Sequence, residues 1–498
     1  MKSNVLLCCM SPFLMIACSS SKGKTPPIKK EQRPNILFIC IDDLRTELGC
    51  YGFSEAKTPN LDGLAAEGSL FFHQYASVPT SGASRASMLS GRLPRDREDV
   101  SNDAAEFRLT YKPEGKVPET FVHQLKRNGY YTVGLGKISH AADGYVYPYT
   151  ATKSDQLELP YSWNEMLFNP GKWGTGWNAF FAYANGSNRQ SMNKQVKPYE
   201  CGDVSDEGYP DGLTAQLAVS KLDQLAQKDQ PFCLAVGFFK PHLPFNSPKK
   251  YWDLYEEDNL STSPVPFIPK NVNKASLQKN GEFNGYKLGD ENATLDQPVS
   301  DAYARKLRHA YLSCISYTDA QVGKVLTKLK ALGLADNTII VVWGDHGWHL
   351  GDMNVWGKHT IMETAVNSTF IMRVPGKKAG IKNKRIVSAV DIYPTLMELC
   401  NIKTPYPLDG KSFVSLLNQP NDPTWEDRAY SYFNSGISLR TKEYRYSYYY
   451  RQQQPVEELF QYTTDRFERE NIASQHPAIV KQLRPLWEKG NTGLYTKE

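Results

Sequence analysis

The chain has 498 residues, a net charge of +5, 40% hydrophobic and 22% charged residues. That composition supports a large buried core and excludes a disordered or fibrous chain. The positive balance is small and dispersed, with no zinc-finger spacing and no long Lys/Arg run, which argues against nucleic acid as a partner and mildly suits an anionic substrate.

Lys2 precedes an apolar run from Val5 to Ala17, too short to span a bilayer, and then comes Cys18. Residues 1–18 read as a signal peptide, and Met15-Ile16-Ala17-Cys18 resembles a bacterial lipoprotein box with Met where Leu is usual. The expectation is export to the periplasm or cell surface, with Cys18 lipidated; a plain secretory peptide is the alternative. Residues 19–33 are polar and Pro-containing and read as a flexible tether, so any membrane contact is through the anchor.

Asn35 to Ile41 is a continuous β-branched and aromatic run ending in two aspartates. Thr132 to Gly136, Phe232 to Phe238, Thr338 to Trp343 and Thr369 to Val374 share that character, the pattern of central parallel strands. Between them, helices are predicted from Thr58-Pro59, over Asp211 to Ala226, and over Ala302 to Leu332 with a break near Gly323. Alternating strands and helices predict an α/β fold with a doubly wound, mostly parallel sheet. Residues 141–210 and 245–300, rich in Pro, Gly, Tyr, Trp and Asn, read as long loops over one face. A catalytic domain over 34–420 is expected, then a small α+β subdomain over 421–498 with short antiparallel strands at Tyr430–Tyr432, Ile437–Arg440 and Tyr444–Tyr448 and a closing helix from His476. Cys40 and Cys233 fall inside apolar runs and read as small buried thiols; no Cys/His ligand spacing appears.

Polar clusters follow four of these strands: Asp42-Asp43, Lys137 with His140, Lys240 with His242, and Asp345-His346. Ligands in such folds bind beyond the carboxyl ends of the strands. Neighbouring carboxylates repel unless a cation lies between them, and three carboxylates suit a hard divalent cation, calcium ahead of magnesium. Asp42-Asp43 alone also reads as a loop pair or helix cap, and any single His as a loop histidine bonded to backbone.

Ser81-Gly82-Ala83-Ser84-Arg85-Ala86-Ser87-Met88-Leu89-Ser90-Gly91-Arg92 reads S-x-A-S-R-x-x-x-L-S-G-R. It resembles the signature of the formylglycine-dependent sulfatases, of the alkaline phosphatase superfamily. His346-Gly347-Trp348-His349 with Trp356-Gly357-Lys358, and Lys240-Pro241-His242-Leu243-Pro244-Phe245, resemble the iduronate-2-sulfatase branch. The resemblance runs from Pro34 nearly to the C-terminus; Ala83 stands where many members have Pro.

The resemblance implies that Ser81 is oxidised to formylglycine by a maturing enzyme of the oxygen-independent type, and that the aldehyde hydrate attacks sulfur. It implies a metal held by Asp42, Asp43, Ser81, Asp345 and His346. It makes Lys137 and Lys358 sulfate-binding, Arg85 the group that steadies the hydrate, His140 its histidine partner, and His242 the acid that protonates the leaving alcohol. Lys240, His349 and Trp356 are added as substrate contacts, with His359 and Arg95 as further basic groups for a substrate carboxylate. The implied substrate is a sulfated glycosaminoglycan oligosaccharide, by branch a 2-O-sulfated uronate. Two other readings stand beside it: a phosphatase or phosphodiesterase of the same superfamily, and a non-catalytic glycan-binding relative.

Overall fold

The computed structural model describes Met1 and residues 33–152 and 154–496; the expected signal peptide beyond Met1, Cys18, and the expected tether apart from Arg33 lie outside the described residues. Its centre is a mixed sheet. In chain order the strands are β1 (Asn35–Ile41), β2 (Ser69–Tyr75), β3 (Tyr131–Gly136), β4 (Glu165–Leu167), β5 (Phe232–Phe238), β6 (Thr338–Gly344), β7 (Asn367–Ser368), β8 (Phe370–Arg373) and β9 (Ile381–Ser388). Parallel pairing runs β4-β3-β5-β1-β6. β8 then pairs antiparallel with both β6 and β2, β7 pairs antiparallel with β2, and β9 joins β2 in parallel.

Every residue of β1, β5 and β6 is buried. Alternate side chains point to opposite faces of a strand, so both faces must be covered. Leu37, Ile39 and Ile41 enter one apolar layer with helices α1 (Pro59–Glu67), α4 (Pro210–Leu225) and α5 (Asp301–Ala331). Ile36, Phe38 and Cys40 enter the other, with α2 (Ser81–Ser90), α3 (Phe121–Arg127) and α6 (Ile392–Leu399). The doubly wound α/β expectation is thus met.

Three expectations are corrected. The run Thr369 to Val374 is antiparallel, not parallel, because the chain leaves β6 and returns in β8 without a crossover helix; Gly344 N–H donates to Thr369 O at 2.8 Å at the neck. α5 is unbroken across Gly323: a Cβ there would lie 2.3 Å from the Asn60 side chain, so the glycine admits α1 rather than ending α5. The 141–210 segment is not all loop, since β4 extends the central sheet through Val133–Glu165 pairing.

The C-terminal sheet is the four-stranded meander β10 (Arg428–Phe433), β11 (Gly436–Thr441), β12 (Tyr444–Tyr449) and β13 (Glu457–Gln461), all antiparallel. Its apolar face packs with Leu483 and Trp487 of α7 (Pro477–Glu488), and the Trp487 indole N–H donates to Ile437 O at 2.9 Å. Cys40, Cys50, Cys201, Cys233, Cys314 and Cys400 are free thiols. Among the described residues, no helix is long and apolar enough to cross a membrane.

Candidate active site

The carboxyl ends of β1 and β6 lie side by side, and each delivers its first polar residues into one fully buried cluster. Candidate ligand atoms of Asp42, Asp43, Asp345 and His346 all lie within 4.8 Å of one another. The backbone is fixed first: Asp42 N–H donates to Phe238 O at 3.3 Å, and Asp345 N–H to Ile41 O at 3.4 Å. Asp43 takes a left-handed φ of 58°, held by the Asp43 N–H to Asp345 Oδ1 bond at 3.0 Å and by the Tyr311 hydroxyl donating to Asp43 O at 2.7 Å. A non-glycine residue in that region is strained and persists where its surroundings over-determine it, a common feature of functional sites.

Ser81 is the first residue of α2, so the positive pole of the helix faces its hydroxyl. Its Oγ donates to Asp42 Oδ1 at 2.9 Å and lies 3.0 Å from His346 Nε2. Gly82 has no room for a side chain: a Cβ would fall 1.8 Å from Asn102 O. One turn on, Arg85 is completely buried and donates from Nε to Asp345 Oδ2 at 3.0 Å and from Nη2 to Asp42 Oδ1 at 3.3 Å. Its Nη1 binds Lys137 O at 2.5 Å, which ties the helix to the end of β3.

Lys137 Nζ donates to Asp42 Oδ2 at 2.6 Å, and Lys358 Nζ to Asp43 Oδ1 at 3.1 Å. Burial opposes ionisation of Asp42, but Lys137 and Arg85 outweigh it and hold its carboxyl well below the usual range. Burial, reinforced by Asp42 and Asp345, pushes Asp43 well above that range despite Lys358, and raises Asp345 despite Arg85. Asp43 and Asp345 thus lack full charge compensation from the protein alone. The His346 ring places Nδ1 3.0 Å from Gly347 O, which sets the tautomer and leaves the Nε2 lone pair facing the cluster. Burial, with Lys358 nearby, lowers this imidazole to about 3, so it is neutral near pH 7. Oxygen-rich donors, one neutral imidazole and uncompensated carboxylates fit a hard divalent cation.

His242 has the same arrangement: Nδ1 meets Leu243 O at 2.6 Å, and Nε2 faces Glu282 Oε1 at 3.2 Å and Asp43 Oδ2 at 3.7 Å. Glu282 lies also 3.6 Å from Lys358 Nζ. The Phe180 ring covers both Lys137 Nζ, at 4.3 Å, and the His242 ring, at 4.5 Å. His140 packs on Trp177 with centroids 5.3 Å apart, and its buried Nδ1 has no hydrogen-bond partner.

The expected residues Asp42, Asp43, Ser81, Arg85, Lys137, His242, Asp345, His346 and Lys358 are therefore assembled in one contiguous network, with His140 beside it. The added contacts are placed otherwise. The Lys240 ammonium is buried and donates to His242 O at 3.0 Å and Pro244 O at 2.6 Å, so it pins the His242 turn instead of meeting substrate. His349 is buried against Thr360 Oγ1 at 2.8 Å, and Trp356 is stacked on Phe283 at 5.7 Å. His359 stacks on Phe433, and Arg95 forms a pair with Asp409 at 2.8 Å. Glu282 and Phe180 were missed; Phe180 lies in the aromatic run Trp177–Phe181, a signal that was present, whereas Glu282 sits in an irregular segment with none.

A sheet of this topology with hard-cation donors, a helix-terminal hydroxyl and buried cations at its strand ends defines a metal-assisted hydrolase of anionic esters. The chain belongs to the sulfatase family, whose model matches residues 34–402, and it is an enzyme that hydrolyses sulfate esters. A second model, N-sulphoglucosamine sulphohydrolase C-terminal, matches residues 344–490. The iduronate 2-sulfatase of Mus musculus is 29% identical over 407 residues, covering 74% of this chain and 69% of that protein. Among solved structures, the phosphonate monoester hydrolase of Agrobacterium radiobacter superposes with a TM-score of 0.73 at 21% identity, covering 92% of this chain and 96% of that one. A protein solved in complex with its substrate D-glucosamine-2-N,6-O-disulfate superposes with a TM-score of 0.69 at 20% identity, covering 92% and 97%. At those identities the two structures speak for the fold.

Proposed function

We propose that this sulfatase removes sulfate from glycosaminoglycan sugars, and that its preferred target is the 2-O-sulfate of a uronate. The observation that carries the reading is the Ser81 hydroxyl, which donates to Asp42 and lies 3.0 Å from His346 Nε2 at the centre of the candidate ligand cluster. The mammalian relative's name supports the position of the ester on the sugar.

Ser81 is the precursor of formylglycine, made by an oxygen-independent maturing enzyme, and its hydrated aldehyde is the group that attacks sulfur. Asp42, Asp43, residue 81, Asp345 and His346 would hold a divalent cation, calcium ahead of magnesium, which when bound would supply positive charge towards the sulfate oxygens. Lys137 and Lys358 bind those oxygens from the protein side, and Arg85 fixes the orientation of Asp42, Asp345 and the end of β3. His242 is the donor to the leaving oxygen from Nε2 in its doubly protonated form, with Glu282 as counter-charge; burial and Lys358 lower the resting ring to about 4, so the proton is taken up as negative charge develops on that oxygen. His140, with its free Nδ1, takes the proton from residue 81 that sulfate release requires. The enzyme is exported and anchored through Cys18, with a catalytic domain over 34–420 and a subdomain over 421–498.

Mass spectrometry of the residue-81 peptide from the native host tests the nucleophile: a peptide two hydrogens lighter than the serine form supports it, and unmodified serine in fully active enzyme overturns it. The second reading is a phosphatase or phosphodiesterase of the same superfamily, whose fold the superposed phosphonate monoester hydrolase shares with this chain. Aryl phosphate turned over faster than aryl sulfate reverses the order.

A further inference from the structure

Beside the cluster opens a cleft of about 470 Å³ whose lining is chemically unlike the cluster itself. Asn102 Oδ1 accepts from Gly82 N at 3.2 Å, one residue past Ser81, and His140 forms the inner wall. The outer wall is aromatic. Tyr149, 37% exposed, meets Trp177 edge-on at 4.4 Å and Phe181 at 5.7 Å, while Tyr111 is 52% exposed. The Trp177 indole N–H is spent on Tyr147 O at 2.9 Å, and of the four lining tyrosines Tyr145 and Tyr147 are half-buried, so the most exposed rings are those of Tyr149 and Tyr111.

The charged groups of this lining are Asp103, Glu106 and Glu158, with no Lys or Arg among the lining residues. Glu158 is buried and already accepts from Ala141 N at 2.8 Å and from the Ser139 hydroxyl. Asp103 and Glu106 lie nearer the solvent, with Glu106 accepting from the Tyr111 hydroxyl. Partly exposed rings with carboxylate acceptors suit a hydroxyl-rich pyranose, and they repel a second anion.

We infer that this cleft is a subsite for the sugar next to the sulfated residue, and that it selects an uncharged ring there. The inference rests on the saccharide-sulfatase reading above. Within that reading it assigns specificity to Tyr149, Tyr111, Asp103 and Glu106.

The test compares three substrates with the full chain: 2-O-sulfated uronate alone, the same residue linked to N-acetylglucosamine, and the same residue linked to N-sulfoglucosamine. The expected kcat/KM for the N-acetylglucosamine disaccharide exceeds each of the others at least tenfold. Tyr149→Ala lowers that disaccharide to the level of the monosaccharide and leaves the monosaccharide unchanged; Tyr149→Phe, which keeps the ring, behaves as wild type. Glu106→Gln raises kcat/KM for the N-sulfoglucosamine disaccharide. Equal losses on monosaccharide and disaccharide, or a preference for the N-sulfated neighbour, overturn the inference. A binding readout separates the two readings: saturation-transfer NMR with the sulfate-free uronate–N-acetylglucosamine disaccharide needs no turnover. Contacts to the N-acetylglucosamine ring that vanish in Tyr149→Ala support the subsite even where no sulfated saccharide is hydrolysed, a result that sinks the proposed substrate class alone. No contacts with wild type sink the subsite.

Discussion

At the scale of single residues, the site is a balance of buried charges in which Lys358 and Arg85 only partly offset the cost of burying Asp43 and Asp345. On the proposed metal reading, Asp345→Asn replaces one carboxylate oxygen of the cluster by an NH2 group and removes its charge, so a co-purifying divalent cation, measured by elemental analysis of purified protein, is expected to fall below stoichiometric, with kcat reduced about 10²–10³-fold. His242→Gln separates proton donation from binding. The expected loss is about 10²–10⁴-fold in kcat on a sugar sulfate, whose alkoxide leaves badly, and much less on 4-nitrophenyl sulfate. Equal losses on both would remove His242 from the role of acid. The places of Asp42, Asp43, Lys137, Asp345 and His346 in the candidate site were legible because they sit directly after apolar strands, where periodicity stops abruptly, whereas Ser81 and Lys358 were named through the family resemblance. Lys240 misled because it occupies such a strand end too, and only coordinates reveal that its ammonium turns back onto two carbonyls. Glu282 was invisible for the opposite reason: it approaches from a loop with no local pattern.

At the scale of elements, α2 is the part that cannot shift. It carries Ser81 and Arg85, and Gly82 touches the Asn102 backbone where a methyl has no space. Gly82→Ala is expected to cost about 1–3 kcal/mol in urea unfolding and to lower activity more than stability predicts, because the strain displaces the first turn. A variant with wild-type kcat would refute that coupling. β1, β5 and β6 were readable from sequence since both their faces are buried and apolar. β2 and β9 were not: His73 and Gln74 interrupt the first, and Lys382, Asn383, Lys384 and Arg385 dilute the second at the sheet edge. The direction of β8 was equally hidden, since composition reports burial and not polarity of pairing.

At the scale of the whole molecule, the meander is fastened to the central sheet by an ionic knot. Arg445, fully buried, donates to Glu468 Oε1 at 2.6 Å and to Glu363; Tyr75 of β2 and Tyr462 also donate to Glu363, at 2.8 and 2.9 Å. Arg445→Leu leaves buried Glu468 without its cation and Glu363 with Arg440 alone, and is expected to destabilise by about 3–5 kcal/mol, read as a shift in urea midpoint. Burial opposes ionisation of Glu363, yet Arg440 and Arg445 hold it down at about 2. A depressed carboxyl stabilises above its unfolded value, near 4.5, and that stabilisation is lost as pH falls towards 2. Thermal midpoints of wild type should therefore drop more steeply between about pH 5 and pH 3 than those of Glu363→Gln.

The reversal between β6 and β8 has a further consequence. The polypeptide from Asp345 to Thr369 departs and re-enters through neighbouring strands, closed by the Gly344–Thr369 bond, without passing beneath the sheet. That stretch brings Asp345, His346 and Lys358 together on one excursion. The same stretch carries Glu363, bonded to Arg445 of the meander and, through its N–H, to Glu468, so a graft of this excursion between proteins of this architecture would have to carry the meander's Arg445 and Glu468 with it.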